Sequence, residues 1–187
     1  SSRALGAAGI ACHPLTLRKG WLGVLMSGEL LTVKQNGKIH RQKYARGIPE
    51  TELEVIGETD TTGTIIQFMP DAEIFETVIF DSELISHRLR ELAFLNKGLE
   101  IQFVSHWHEE ARSGDIERSY YFDGGIANLV RNFNRNRKVM QQLPFYYEKT
   151  LDDTMVEVAV QYNDSFTETV FSFANCINTQ EGGTHMT

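Results

Sequence analysis

Two stretches of this 187-residue chain place reactive side chains close together. In the first, Thr62-Gly63-Thr64 feeds the run Ile65-Ile66-Gln67-Phe68-Met69, which stops at Pro70-Asp71. Thr and Asp side chains bond their own backbone and Gly admits positive φ, so residues 57–63 read as a tight polar turn with Gly63 as its pivot. The β-branched and aromatic residues that follow favour a strand, and Pro70 ends it because it has no N–H for a ladder. Alternation sets Thr64, Ile66 and Phe68 on one face and Ile65, Gln67 and Met69 on the other. A hydroxyl thus enters an apolar face, where it either satisfies a neighbouring carbonyl or touches a ligand. In the second stretch, His106-Trp107-His108-Glu109, two His residues two apart on a strand would share a face, as metal ligands do. No third ligand accompanies them, so a surface loop is the preferred reading.

Other reactive residues have plainer explanations. His40, between Lys38 and Lys43 with Arg41 beside it, reads as part of a solvated strand face. Gly6-Ala7-Ala8-Gly9 lacks the Lys-Ser/Thr that a phosphate loop carries. Arg131, Arg135, Arg137 and Lys138 follow an amphipathic run, and cations suit the negative end of a helix dipole.

The elements that position these residues are mostly legible. Asn36-Gly37 between residues 30–34 and 38–44 is a strong hairpin signal, and residues 52–56 add an extended piece. Residues 81–98 read as a helix with Asp81 or Ser82 as its N-cap and Gly98 as its stop. Its apolar line, Leu84, Ile85, Leu89, Leu92 and Leu95, predicts the buried stripe. Residues 99–105 and 117–122 form two returning strands. At Asp123-Gly124-Gly125 the character changes, and Ile126, Leu129, Val130 and Phe133 mark a second amphipathic helix. Residues 145–149, 155–162 and 167–175 then predict a three-stranded antiparallel meander with turns at Asp152-Asp153 and Asn163-Asp164-Ser165. Residues 1–28 show no period, and Pro14 interrupts them.

Composition sets outer limits. The chain is 41% hydrophobic and 23% charged, with a net charge of −7, as a globular protein of one domain or parts of two would be. No apolar run reaches the ~20 residues of a membrane span, and no signal peptide is visible, so the expected location is cytoplasmic. Cys12 and Cys176 are expected to be reduced thiols. The acidic balance argues against a nucleic-acid clamp built from the whole chain and leaves room only for a local basic patch.

From about Leu31 onward, ordered runs match one family. They are Asn36-Gly37-Lys38-Ile39-His40-Arg41-Gln42, Arg46-Gly47-Ile48-Pro49, Gly57-Glu58-Thr59 with Thr62-Gly63-Thr64, Phe68-x-Pro70-Asp71 and residues 88–96. Gly124-Gly125-Ile126, Val156-Glu157-Val158-Ala159, Gln161-Tyr162-Asn163-Asp164 and Glu181-Gly182-Gly183-Thr184-His185 continue the series. In these runs the chain resembles the gyrase B family of DNA topoisomerases, of type IIA, in its ATPase and transducer region. Ser165 and Cys176 stand where that family usually has Gly and Asn.

The resemblance implies an α+β fold. Residues 29–123 would be the C-terminal part of a Bergerat (GHKL) ATPase α/β sandwich, and residues 124–187 the first part of a transducer domain with a ribosomal-protein-like β-α-β arrangement. Residues 1–28 match nothing and are expected to be a disordered or artefactual start. The family binds ATP with Mg2+. By resemblance, Thr64 would help fix the adenine through an ordered water, with Gly63 beside it, while Gly20 and Gly23 faintly echo a Gly-rich lid over the phosphates. The family's general-base Glu, its magnesium-holding Asn, its adenine-reading Asp and its γ-phosphate Lys have no counterpart in this chain. No catalytic or metal residue is therefore assigned, and the isolated chain is expected to hydrolyse no ATP. The implied partners are DNA, gyrase A and a second copy of gyrase B that dimerises on ATP binding, with no membrane. The implied role is to couple ATP binding and hydrolysis to strand passage and negative supercoiling. A piece of the equivalent ATPase protein of topoisomerase IV, or an inert binding module, is the alternative.

Overall fold

The structure is a computed structural model that describes residues 25–106, 115–152 and 154–179. Its contacts separate into two compact units that meet in sequence between Phe80 and Asp81.

Among the described residues the first unit is an antiparallel sheet of five strands: β1 Met26–Gln35, β2 Lys38–Ala45, β3 Ile48–Pro49, β4 Glu54–Glu58 and β5 Gly63–Pro70. Their order is β3-β2-β1-β5, with β4 also paired to β2. The β1–β2 hairpin turns on Asn36 (φ 53°) and Gly37 (φ 77°), two positive φ values in succession, which is what the Asn-Gly pair is selected to provide. β1 has a hydrogen-bonded neighbour on each side, and it carries the buried Met26, Leu31 and Thr32.

Two expectations change in this unit. Residues 26–28 belong to β1, so these three are ordered although they fall in the stretch expected to be disordered or artefactual. Gly63 is not a turn pivot but the first residue of β5, paired with Lys34, and its φ is not positive. The turn is made upstream instead, where Thr59 Oγ1 accepts from the Thr61 N–H (3.2 Å).

The second unit opens with helix α1, Ser82–Leu95. Asp81 caps it by accepting from the Glu83 and Leu84 N–H groups (2.9 and 3.0 Å), and Gly98 follows its end at φ 82°. Helix α1 packs on the antiparallel hairpin of β6, Glu100–Ser105, and β7, Ile116–Tyr121, and also against helix α2, Ile126–Asn134. The core is Ala93, Phe94 and Leu129, with Phe94 stacked on Phe122 at 3.6 Å between ring centroids. The predicted leucine stripe is only partly right. Leu84 is 68% exposed, while Ser86, Ala93 and Phe94 form the buried line. Hydroxyl bonding explains the burial of Ser86, since its Oγ bonds the Tyr120 hydroxyl and accepts from Arg118. The boundary read at Asp123–Gly124 falls inside this unit, at the turn from β7 into α2.

Beyond α2, β8 (Phe145–Leu151) and β9 (Thr154–Val160) form a hairpin, and β10 (Phe173–Ala174) pairs with β11 (Ile177–Asn178). The expected third strand of the meander does not form. The Asn163 side chain accepts from the Ser165 N–H (2.8 Å) and Ser165 Oγ from the Thr167 N–H (3.2 Å), so successive local turns displace a ladder.

Gly125 precedes α2 at φ 54° and ψ −129°, is buried, and a Cβ there would sit 3.3 Å from Lys97 Cβ. Gly125→Ala is expected to cost about 1–3 kcal/mol through backbone strain. Urea unfolding of the two proteins measures it, and equal midpoints would show that α2 does not depend on this backbone geometry.

Candidate functional site

Strand β5 carries the residues singled out by the sequence. Thr64 pairs with Val33, which pairs in turn with His40; Ile66 pairs with Leu31 and then Gln42; Phe68 pairs with Glu29 and then Tyr44. Residues opposite one another in an antiparallel sheet share a face, so these rows define one surface with Thr64 at its end. The expected face assignment along β5 therefore holds, and the register adds Val33, Leu31 and Ile66 as apolar neighbours that the sequence did not single out. Their signal was present in alternation, but the partner strand had to be known.

The Thr64 hydroxyl is exposed and makes no hydrogen bond among the described residues, so it is not spent on a neighbouring carbonyl. Ile66 and Phe68 are 56% and 47% exposed, leaving a hydroxyl beside open apolar surface. Gly63 has neither a positive φ nor any atom within 4 Å of where a Cβ would stand. Neither feature requires a glycine there. His40 departs from the solvated-face reading, because its ring is half-buried and its Nδ1 is buried without a partner among the described residues.

What fixes the far end of β5 went unnoticed in the sequence. Asp71, 3% exposed, donates its N–H to the Leu25 carbonyl and accepts from the Glu73 N–H on Oδ1. Its Oδ2 accepts from Arg46 Nε at 2.6 Å, and the same guanidinium reaches Glu73 at 2.6 Å. Arg46 is positioned by the β2–β3 turn, and its own N–H bonds the Met26 carbonyl (2.9 Å). The clamp thus joins β1, the β2–β3 turn and the exit of β5. The Arg46 bond, then the Glu73 N–H, holds the Asp71 carboxyl below its ordinary pKa, and the two carboxylates raise that of Arg46. A polar residue directly after Pro70 was the only local signal.

The remaining candidates are quieter. Gly20, Gly23, Cys12, Trp107, His108 and Glu109 lie outside the described residues. His106 Nδ1 meets Asp115 at 2.9 Å, and among the described residues no group of three His, Cys, Asp or Glu could hold a metal. Cys176 is a free, half-buried thiol at φ 65° in the β10–β11 turn. In the second unit, Arg118 grips Glu83 through both nitrogens (3.0 and 2.7 Å) and also Ser86 (2.6 Å). Its donors are committed to structure. No described helix is long and apolar enough to cross a membrane.

Comparison with known proteins gives a consistent set of likenesses. A family model described as DNA gyrase B matches residues 125–187. The DNA gyrase B protein of Halalkalibacterium halodurans is 49% identical over 154 residues, which is 82% of this chain and 23% of that protein. Its counterpart from Archaeoglobus fulgidus is 44% identical over 185 residues, 97% of this chain and 27% of that protein, so that match runs into residues 1–28. Among solved structures, the 43K ATPase domain of Thermus thermophilus gyrase B, in complex with an aminocoumarin, superposes with a TM-score of 0.77 at 30% identity. That likeness covers 87% of this chain and 43% of that one. The chain spans about a quarter of the length of these two curated relatives.

Asp71→Asn keeps the shape of the clamp and removes its charge. A carboxyl whose folded pKa is lowered stabilises fully above its unfolded value of about 3.9 and loses that contribution as pH falls through the folded value. The variant is expected to melt lower than the parent at pH 7, with the gap closing below about pH 4. A gap of equal size at pH 2.5 and pH 7 would show that the Asp71 charge is not what holds β5.

Proposed function

The chain belongs to the DNA gyrase B family, and we propose that it is part of an ATP-hydrolysing gyrase B protein that couples ATP binding and hydrolysis to DNA strand passage and negative supercoiling. Its α+β fold is the C-terminal part of a GHKL ATPase sandwich followed by the start of a transducer domain. In this proposal residues 29–123 belong to the ATPase and 124–187 to the transducer, and the family match that starts at residue 125 supports the division. Gyrase A, DNA and a second copy of gyrase B are its partners, and the cytoplasm is its compartment. The names of its relatives favour gyrase over topoisomerase IV.

The observation that carries the nucleotide reading is the hydroxyl of Thr64, unbonded among the described residues, at the end of an open apolar row. A flat heteroaromatic base fits such a surface, because Ile66 and Val33 offer apolar contact while the hydroxyl supplies one oriented polar bond. Gly63, without a local reason to be glycine, lets a ligand approach the backbone closely. These residues fit the base end of ATP. The Thr64, Ile66 and Phe68 rows carry no Lys or Arg for the phosphates, and Glu29 is their one carboxylate, so the phosphates and Mg2+ are assigned to other parts of the protein. Gly20 and Gly23 are assigned to a lid on that side by family likeness alone. Bound ATP would supply the transferable phosphoryl group. The part of this chain is to orient the base, while its clamp at Asp71 keeps β5 in register.

A graft tests the proposal. Placed in the Halalkalibacterium gyrase B in exchange for its counterpart, the matching 154-residue part of the chain is expected to support ATP-dependent supercoiling together with gyrase A. Thr64→Val in that graft should weaken binding of a non-hydrolysable ATP analogue by roughly tenfold, the worth of one hydrogen bond, without a change in melting temperature. An unchanged Kd removes Thr64 from the site. The purified chain alone should show no magnesium-dependent ATP turnover, and measurable turnover would refute that assignment.

A further inference from the structure

The dipole of α2 does not account for the basic segment that follows it. The helix ends at Asn134, and a macrodipole acts within the last turn, whereas Arg137 and Lys138 lie past the end. Every other described arginine donates to a carboxylate, amide, hydroxyl or carbonyl group. The exposed side chains of Arg135, Arg137 and Lys138 have no such partner among the described residues.

The backbone under them is nevertheless firmly held. Asn134, 7% exposed, donates to Gln161 (3.0 Å) and accepts from Asn163 (2.8 Å). The Arg137 N–H bonds the Asn134 carbonyl (2.9 Å), the Lys138 carbonyl accepts from the Asp164 N–H (3.0 Å), and the Met140 N–H bonds the Tyr162 carbonyl (3.0 Å). Four consecutive residues thus present three uncommitted cations from a loop tied at both ends. Arginine forks and lysine point charges so arranged suit neighbouring phosphate oxygens, while a chain of net charge −7 repels a polyanion elsewhere.

We propose that Arg135, Arg137 and Lys138 form a contact for the phosphate backbone of duplex DNA. This assignment rests on the reading of DNA as a partner of the chain, and adds to it a place and a mode of binding without base readout.

The test uses the full 187-residue chain and a fluorescent duplex of about 30 base pairs, with anisotropy followed from about 20 to 200 mM KCl. The triple variant Arg135→Gln/Arg137→Gln/Lys138→Gln is compared with Lys38→Gln/Lys43→Gln/Lys149→Gln, which loses the same charge elsewhere. The loop variant is expected to bind about tenfold or more weakly at low salt, with a log K against log salt slope shallower by about 2–3, and the control to lose far less. Equal losses in the two variants, or unchanged binding by the loop variant, overturn the assignment. So does competition by polyglutamate as strong as that by DNA, which would give the loop to an acidic protein. No binding by the parent chain also overturns it, while the ATP-site reading is judged separately by the supercoiling activity of the graft.

Discussion

The pairing of β1 with β5 is the constraint on which the candidate site depends. Side chains alternate with a period of two, so a slip of one residue would move Thr64, Ile66 and Phe68 to the opposite face and put Ile65, Gln67 and Met69 in their place. Both faces of β5 are exposed among the described residues, so burial does little to choose between them. The register is held instead from its ends. Asn36-Gly37 fixes β1 against β2, and the Asp71 clamp ties the exit of β5 to Leu25, Arg46 and Glu73. Arg46 is half open to water, where salt screens its charge, but Asp71 is buried and its backbone and side-chain bonds act together.

The second unit is organised by different physics. Phe94 and Phe122 stack in the small apolar core, and Gly125 lets the chain turn into α2 where a side chain would crowd Lys97. Past α2, apolar burial is sparse and polar bonds take over. Asn134, Gln161 and Asn163 interlock, with the Gln161 amide also reaching the Gln141 carbonyl (2.9 Å). A satisfied polar network of this kind orients its members more strictly than apolar contact does, which is why the loop it carries has a defined shape despite its exposure.

Much of the architecture was legible because it is local. A turn that needs two positive φ values selects Asn-Gly, an N-cap selects Asp81, and a helix stop selects Gly98; each is decided by residues within a few positions of one another. The same holds for the ordered runs that tie the chain to the gyrase B family, since they are strings of neighbours. Boundaries and faces were less secure. The apolar spacing of α1 named Leu84 as core, but the partner hairpin meets the helix along Ser86, Ala93 and Phe94, a choice periodicity cannot make when two adjacent lines are both plausible.

By itself, the sequence determined the family, the order of the main elements, both helices and the alternation that sets Thr64 beside Ile66. The tertiary structure decided which strand Thr64 faces, that its hydroxyl is free among the described residues, that Gly63 lies in a strand, and that residues 167–172 stay out of a ladder. It also decided that Arg46 meets Asp71 across 25 positions, and that three cations after α2 have no partner among the described residues. The division has one physical cause. Turn chemistry and helix capping depend on short-range sterics and hydrogen bonds written in adjacent residues, whereas pairing, burial and charge satisfaction depend on which distant segments the folded chain brings together.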